Sequence, residues 1–167
     1  MAARPAAPQA RSRPAVALPL DAHLAGRLLA REKRFLADVA LAGRVVRAHL
    51  PDPGRMPDLA VAGAAVRLSA SRAPHRRLAH TVELVRQGRT WVGVHPARAN
   101  ALVDRALAAG ALPSLRGYAE VRREQAAPGG CRIDFRLAGH RRDPRPCWLE
   151  VKSANWADGA VARFPDS

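Results

Sequence analysis

The stretch "HTVELVRQGRTWVGVH", residues 80–95, decides how the first half of this chain is read. Val82 and Leu84, then Val92 and Val94, alternate with polar or small neighbours, the period-two pattern of a strand. Gly88 sits between the two runs, so "QGRT" reads as a hairpin turn. Working back from it, "AAVRLSAS" (64–71) is a further strand and "RVVRAHL" (44–50) alternates apolar with polar. "HLAGRLLAREKRFLADVAL" (23–41) reads either as one long, bent strand or as two short ones. Between these runs "PDPGRMPD" (51–58) carries the Pro and Gly of a turn or loop. Short strands in succession from Leu18 to His95 describe a small barrel of the OB-like kind. Such barrels bind single strands through aromatic side chains on their face. The aromatic residues available there, Phe35 and Trp91, read better as core packing.

The second half changes character. "PARANALVDRALAAGALPSL" (96–115) is the clearest helix, with Ala101, Leu102, Ala106 and Leu107 along one stripe and Gly110 suited to a C-terminal cap. A helix-turn-helix is disfavoured because Pro113 falls where a second helix should begin. "AEVRREQ" (119–125), "CRIDFRLAG" (131–139) and "CWLEVKSAN" (147–155) follow as strand-like runs, so residues 96–167 read as an α/β domain. At the other end "MAARPAAPQARSRPAVA" (1–17) mixes Ala, Pro and Arg without periodicity, the composition of a disordered basic tail.

Composition bounds the partners. The 167 residues carry a formal net charge of +14. Lys33 and Lys152 are the only lysines, and every other cation is arginine. An arginine- and alanine-rich chain follows from a GC-rich genome. The charge excess nonetheless fits a polyanion, nucleic acid before membrane, bound through phosphate without sequence specificity. Candidates for phosphate contact are Arg31, Lys33, Arg34, Arg76 and Arg77. No apolar stretch is long enough to span a bilayer, and no secretory signal is expected. Two cysteines make no disulfide framework, so a reducing, cytoplasmic setting is expected. Cys131 and Cys147 also fall out of register for pairing. The six histidines have no metal-ligand spacing.

The chemistry concentrates in residues 131–155. Pairing "CRIDFRL" with "PCWLEVK" around "AGHRRDPR" places Asp134 opposite Glu150 and on the same face as Lys152. Two carboxylates that close repel unless a cation intervenes. Mg²⁺ or Mn²⁺, holding water and substrate phosphate, resolves this, and no organic cofactor is indicated. Lys152 then orients the water or neutralises charge on the phosphate. Asp134, Glu150 and Lys152 are therefore the candidate catalytic residues of a phosphodiesterase. The alternative is a Glu150–Lys152 salt bridge on a solvated sheet with Asp134 hydrogen-bonded locally. Trp148 and Trp156 either pack or stack on bases.

Taken together, these stretches resemble the SfsA family, the sugar fermentation stimulation protein A homologues. "GRLLAREKRFLADVAL" (26–41), "PDPGRM" (51–56), "HTVELV" (80–85), "TWVGVHPARANALVDRAL" (90–107), "GYAEVRRE" (117–124), "RIDFRL" (132–137), "LEVKSAN" (149–155) and "RFPD" (163–166) carry the resemblance. It implies an OB-like N-terminal domain over 18–95 and a C-terminal domain similar to the PD-(D/E)XK nucleases over 96–167. It also implies DNA binding and a regulatory role in sugar, particularly maltose, metabolism. Asp134, Glu150 and Lys152 match the nuclease-like motif. An acid from the preceding segment completes such cores, with Glu124 the metal candidate beside Asp134 and Glu150, and Glu120 the alternative. The chain departs from the family at Asp52, Pro53 and Arg55. Members of the family continue beyond "RFPDS", so the C-terminal domain is expected to be incomplete, with an uncovered apolar face and low stability. Three functions stay open: a DNA-binding protein, a metal-dependent nuclease, and an inactive remnant.

Overall fold

A computed structural model describes residues 16–73, 75–158 and 161–164. The basic tail expected over 1–17 lies outside the described residues except for its last two positions. The run 23–41 is two strands, β1 (Leu24–Glu32) and β2 (Leu36–Leu41), paired antiparallel from Arg27↔Ala40 to Glu32↔Leu36. Lys33 and Arg34 make the turn with φ of 47° and 63°, a left-handed conformation that non-glycine residues rarely adopt. The Arg31 guanidinium holds it, its Nε donating to the Arg34 carbonyl at 3.0 Å.

β3 (Arg44–His49), β4 (Ala65–Ala70), β5 (His80–Gln87) and β6 (Thr90–Gly93) complete a sheet of order β3-β2-β1-β4-β5-β6. The β5–β6 hairpin closes at Gln87↔Thr90, and Gly88 takes the left-handed φ of 56° that such a turn needs. A short parallel pairing, Ala48↔His80 and His49↔Thr81, joins β3 to β5. It closes the first five strands into a barrel and leaves β6 outside. Alternation along the strands sends Leu28, Val39, Ala48, Val66 and Leu68 inward. In β5 the register slips by one residue at Glu83, opposite Arg67 and Leu68, so Val82 and Val85 rather than Val82 and Leu84 face the core. Leu50, Met56, Leu59 and Val94 join them. The closed five-stranded barrel is OB-like, as the sequence indicated.

Neither barrel aromatic packs in the core. Phe35 is 44 % exposed and Trp91 39 %. Phe35 lies in the turn past the barrel's end, and Trp91 sits on the strand outside the closed ring.

Helix α1 (Pro96–Ala108) follows directly. Of its predicted apolar stripe Ala106 is buried, whereas Leu102 is 42 % exposed and faces away. Beyond a 3-10 turn at Pro113–Leu115, strands β7 (Glu120–Ala126), β8 (Arg132–Ala138) and β9 (Cys147–Leu149) form an antiparallel sheet in that order. Its centre is Phe135 and Leu137, both fully buried. A separate pair, β10 (Trp156–Asp158) and β11 (Val161–Arg163), is antiparallel. The second half is thus one helix and mostly short antiparallel strands. Among the described residues no helix is long and apolar enough to cross a membrane.

One buried carboxylate joins the halves. Glu83 of β5, 2 % exposed, accepts from Ser69 of β4 at 2.8 Å. It also accepts from Arg98 of α1 through Nε at 3.0 Å and Nη2 at 2.8 Å. Burial alone would raise its pKa, but the hydrogen bonds from Arg98 and Ser69 outweigh that and the net shift is downward. The folded protein therefore gives up this proton more readily than the unfolded chain. The resulting stability is present above the ordinary carboxylate pKa and is lost as pH falls through the lowered folded value. Glu83→Gln should lower the melting temperature by several degrees at pH 7. The difference from the unsubstituted chain should shrink below about pH 4, as read by melting curves across pH.

Gly26 is the other constraint. A Cβ there would lie 2.6 Å from Val39 Cγ1 and 2.9 Å from the Ala40 carbonyl, inside van der Waals contact. Gly26→Ala should therefore cost about 1–3 kcal/mol by forcing β1 from β2, visible as a lowered denaturation midpoint.

Candidate functional site

The register of β8 and β9 is the one symmetric pairing predicts. Phe135↔Leu149, Arg136↔Trp148 and Leu137↔Cys147 pair, and continuing the ladder sets Asp134 against Glu150. The backbone ladder stops at Leu149, however, so Glu150 and Lys152 lie past the strand end. The reason is local. The amide of Val151 donates to Asp134 Oδ2 at 2.7 Å instead of extending the ladder. Asp134 Oδ1 accepts from Asn100 Nδ2 of α1, so this carboxylate fastens helix, β8 and the end of β9 together.

Glu150 is exposed, and its Oε1 lies 2.7 Å from Lys152 Nζ. That hydrogen bond, with smaller help from the charges of Glu150 and Asp134, raises the Lys152 pKa against a lowering by desolvation. Lys152 thus stays protonated beside Glu150, and its ammonium also sits 5.9 Å from the Phe164 ring centroid. The structure brings Asp134, Glu150 and Lys152 to one spot.

On the other side of β8, Arg123↔Phe135 and Gln125↔Ile133 flank a register position where Glu124 faces Asp134. Glu120 pairs with Ala138 at the far end of the strand. Register favours Glu124, yet its carboxylate is ion-paired with Arg132 at 2.8 Å and its φ is 53°. Among the described residues no three His, Cys, Asp or Glu side chains are grouped to hold a metal. Asp134 and Glu150 fit a hard cation in kind. Each carboxylate keeps unused lone pairs beside its present donors, and Mg²⁺ needs only one or two carboxylates.

Next to this acidic row lies a basic one: Arg122↔Arg136 and Arg136↔Trp148, with Arg136 Cζ 5.8 Å from the Trp148 ring centroid. Arg122 and Arg136 are not among the candidates read from sequence. The signal was there, because Arg136 is two residues from Asp134 and Trp148 two from Glu150, the spacing of one sheet face.

The loop 51–58 meets this region. Asp52, 6 % exposed, accepts from the Gly54 amide through Oδ1 at 2.8 Å and from Asn155 through Oδ2 at 2.7 Å. Arg31 braces the same loop, donating to the Arg55 carbonyl at 2.8 Å and the Asp52 carbonyl at 2.9 Å. Its nitrogens are spent on backbone carbonyls, which sets Arg31 apart from the other cations predicted to touch phosphate.

Those others gather at the barrel's end. Lys33 and Arg34 are exposed in the β1–β2 turn, and the neighbouring Phe35 ring lies 6.5 Å from the His49 ring. Arg76, exposed beside Arg77, donates to Thr81 Oγ1, and Thr81 pairs with His49. Burial, and then the Arg76 charge, lower the His49 pKa, so it is neutral near pH 7.

An OB-type barrel joined by a helix to a small acid-bearing sheet is the class this fold defines. Family models agree with it. Residues 29–94 match the SfsA N-terminal OB domain and residues 97–167 the sugar fermentation stimulation protein RE domain. The sugar fermentation stimulation protein homologue of Caulobacter vibrioides is 43 % identical over 143 residues, 84 % of this chain and 59 % of that protein. The homologue of Alkalilimnicola ehrlichii is 48 % identical over 147 residues, 85 % of this chain and 61 % of that protein. The structure of Pyrococcus furiosus SfsA in complex with Ca²⁺ superposes with a TM-score of 0.73 at 19 % identity, covering 86 % of this chain and 59 % of that one. The chain belongs to the SfsA family, and it spans about three fifths of the length of the relatives it matches.

The Asp52–Asn155 contact gives a direct check. Asn155→Ala leaves a buried carboxylate oxygen without its donor and should cost about 1–3 kcal/mol. Asn155→Asp should cost more by like-charge repulsion. Both are read by denaturant unfolding.

Proposed function

We propose that this chain binds nucleic acid, DNA in the first instance, through phosphate contacts independent of base sequence. The observation that carries this reading is the barrel end where exposed Phe35 lies among Lys33, Arg34 and Arg76, with Arg77 next in the same loop. Among the described residues none of these cations is ion-paired with a carboxylate, so their charge is free for a polyanion. Lys33 and Arg34 also sit exposed in a left-handed turn at the end of the barrel. Such binding releases counterions and weakens steeply with salt. On this reading the effect carried in the relatives' name, stimulation of sugar fermentation, is exercised through nucleic acid, as in a regulator of maltose use. The free thiols Cys131 and Cys147 suit a bacterial cytoplasm.

A second reading rests on the convergence of Asp134, Glu150 and Lys152: divalent-metal-dependent phosphodiester cleavage. Asp134 and Glu150 would hold Mg²⁺ or Mn²⁺, which lowers the pKa of a bound water and stabilises charge on the phosphate. Asn100 and the Val151 amide orient Asp134, Lys152 supplies a fixed positive charge, and Arg136 with Trp148 lies along the approach. That a relative's structure is a Ca²⁺ complex supports a divalent cation as its partner.

End-labelled DNA incubated with and without Mn²⁺, on native and denaturing gels, tests both. A salt-sensitive shift of intact DNA is the expected result. Replacing Lys33, Arg34 and Arg76 with Ala should flatten the dependence of log affinity on log salt by about 0.7–0.9 for each phosphate no longer neutralised. Binding indifferent to salt would refute the electrostatic reading. Metal-dependent shortening abolished by Lys152→Ala and by Glu150→Ala would establish the second reading. If the chain only binds, Glu150→Ala leaves affinity unchanged or raised.

A further inference from the structure

The Phe35 end is not the barrel's only basic aromatic surface. The outer face of β1, β4, β5 and β6 carries Arg27, Arg67, Arg86 and Trp91 in neighbouring rows. Arg27 pairs with Ala65, Arg67 with Leu84 and Arg86 with Trp91. Arg67 Cζ stands 5.5 Å from the Trp91 ring centroid, so the guanidinium already makes a cation–π contact with the indole. Trp91 keeps its exposed surface because β6 lies outside the closed ring. Arg27 and Arg86 each donate to one backbone carbonyl, of Gly63 and Gly88, both at 3.0 Å. Those bonds steady the side chains without neutralising them. Among the described residues no carboxylate is ion-paired with Arg27, Arg67 or Arg86. Beside them a shallow, open depression lies over Ala25, Gly26, Ala40 and Ala65 with Arg27 on its edge.

We propose that this face is a second nucleic-acid contact, a stacking platform that takes an unpaired single strand. The proposal rests on the nucleic-acid reading above and adds the class of strand and a separate place for it. A base stacks on the exposed indole of Trp91 beside Arg67, a contact that tolerates any base because every base has a π face. Arg27 and Arg86 meet the flanking phosphates. A duplex keeps its bases stacked on one another and offers no free face to Trp91. The platform lies at the opposite end of β5 from the Arg76–Thr81 contact. Arg86 is about 17 Å from Thr81 along the strand, so the two surfaces are separate.

The test uses the full chain with Trp148→Phe and Trp156→Phe, which leaves Trp91 as the sole indole. It is titrated with oligo(dT), oligo(U) and a duplex of equal length. Labelled-oligonucleotide anisotropy on the otherwise unaltered chain runs in parallel, so the result does not hang on the double variant. The expected result is quenching of Trp91 by single strands and not by the duplex. Trp91→Ala should weaken single-strand binding about tenfold, and Trp91→Phe should restore most of it. Arg67→Gln with Arg86→Gln should reduce the salt dependence. The two single strands report whether DNA or RNA is preferred. If the unaltered chain binds no strand at all, the nucleic-acid reading itself falls, and this proposal with it. If it binds and Trp91→Ala is without effect while the Lys33, Arg34 and Arg76 substitutions weaken it, only the platform falls. Equal quenching by the duplex also overturns it.

Discussion

The Glu83 carboxylate is the joint on which the remaining geometry depends. A charge placed that deep is tolerated only when its lone pairs are filled, and Ser69 and Arg98 fill them. Arg98 lies in the first turn of α1, so satisfying Glu83 pins that helix to the barrel wall. Two residues along the same turn, Asn100 reaches Asp134. The line from Glu83 through Arg98 and Asn100 to Asp134 carries the position of the barrel into the sheet that holds the acids. The loop around Asp52 ties the two halves a second time, through Asn155 and with Arg31 behind it.

This architecture divides the cations by task. Arg31 and Arg98 hold the framework, the first on carbonyls and the second on a carboxylate. Arg47 is likewise engaged, bonded through Nε and Nη2 to Asp38. Among the described residues Lys33, Arg34, Arg67, Arg76 and Arg86 are ion-paired with no acid; Lys33 and Arg34 lie in a turn and Arg67 beside the Trp91 ring. Net charge alone does not separate the two groups, because an arginine that braces a loop and one that meets a phosphate contribute equally to it. Lys152 stands between them, paired with Glu150 on the surface, where such a pair is weak and open to exchange for another partner.

Much of the fold was legible because alternation is a strong signal. Val66 and Leu68 are apolar at the spacing a strand demands, and Gly88 marked its hairpin, whereas the slip at Glu83 that brings Val85 inward in place of Leu84 left no mark in the pattern. The cross-strand placement of Asp134 and Glu150 was legible for the same reason, since register about a loop follows from counting. Period two also made Arg136 and Trp148 legible beside them. The pattern failed where the chain leaves regular structure or the sheet leaves the ring. Phe35 and Trp91 look like core residues by type, and only the turn geometry and the outer position of β6 expose them.

The sequence by itself determined the barrel strands, the helix, β7 and β8, the register that sets Asp134 against Glu150, and the charge that suits a polyanion. These are local or nearest-neighbour properties, written in side-chain period and turn chemistry. The sequence did not determine that the run 147–155 leaves the ladder at Leu149 or that β10 and β11 follow. Tertiary structure alone decided that β3 meets β5 to close the barrel and that Arg98 is spent on Glu83. It also turned Glu124 to Arg132 and left the Trp91 ring beside Arg67 open to solvent. Most of those outcomes join residues of different elements, and even across the β7–β8 hairpin, where Glu124 meets Arg132, which partner a long side chain reaches depends on packed positions that no local pattern encodes.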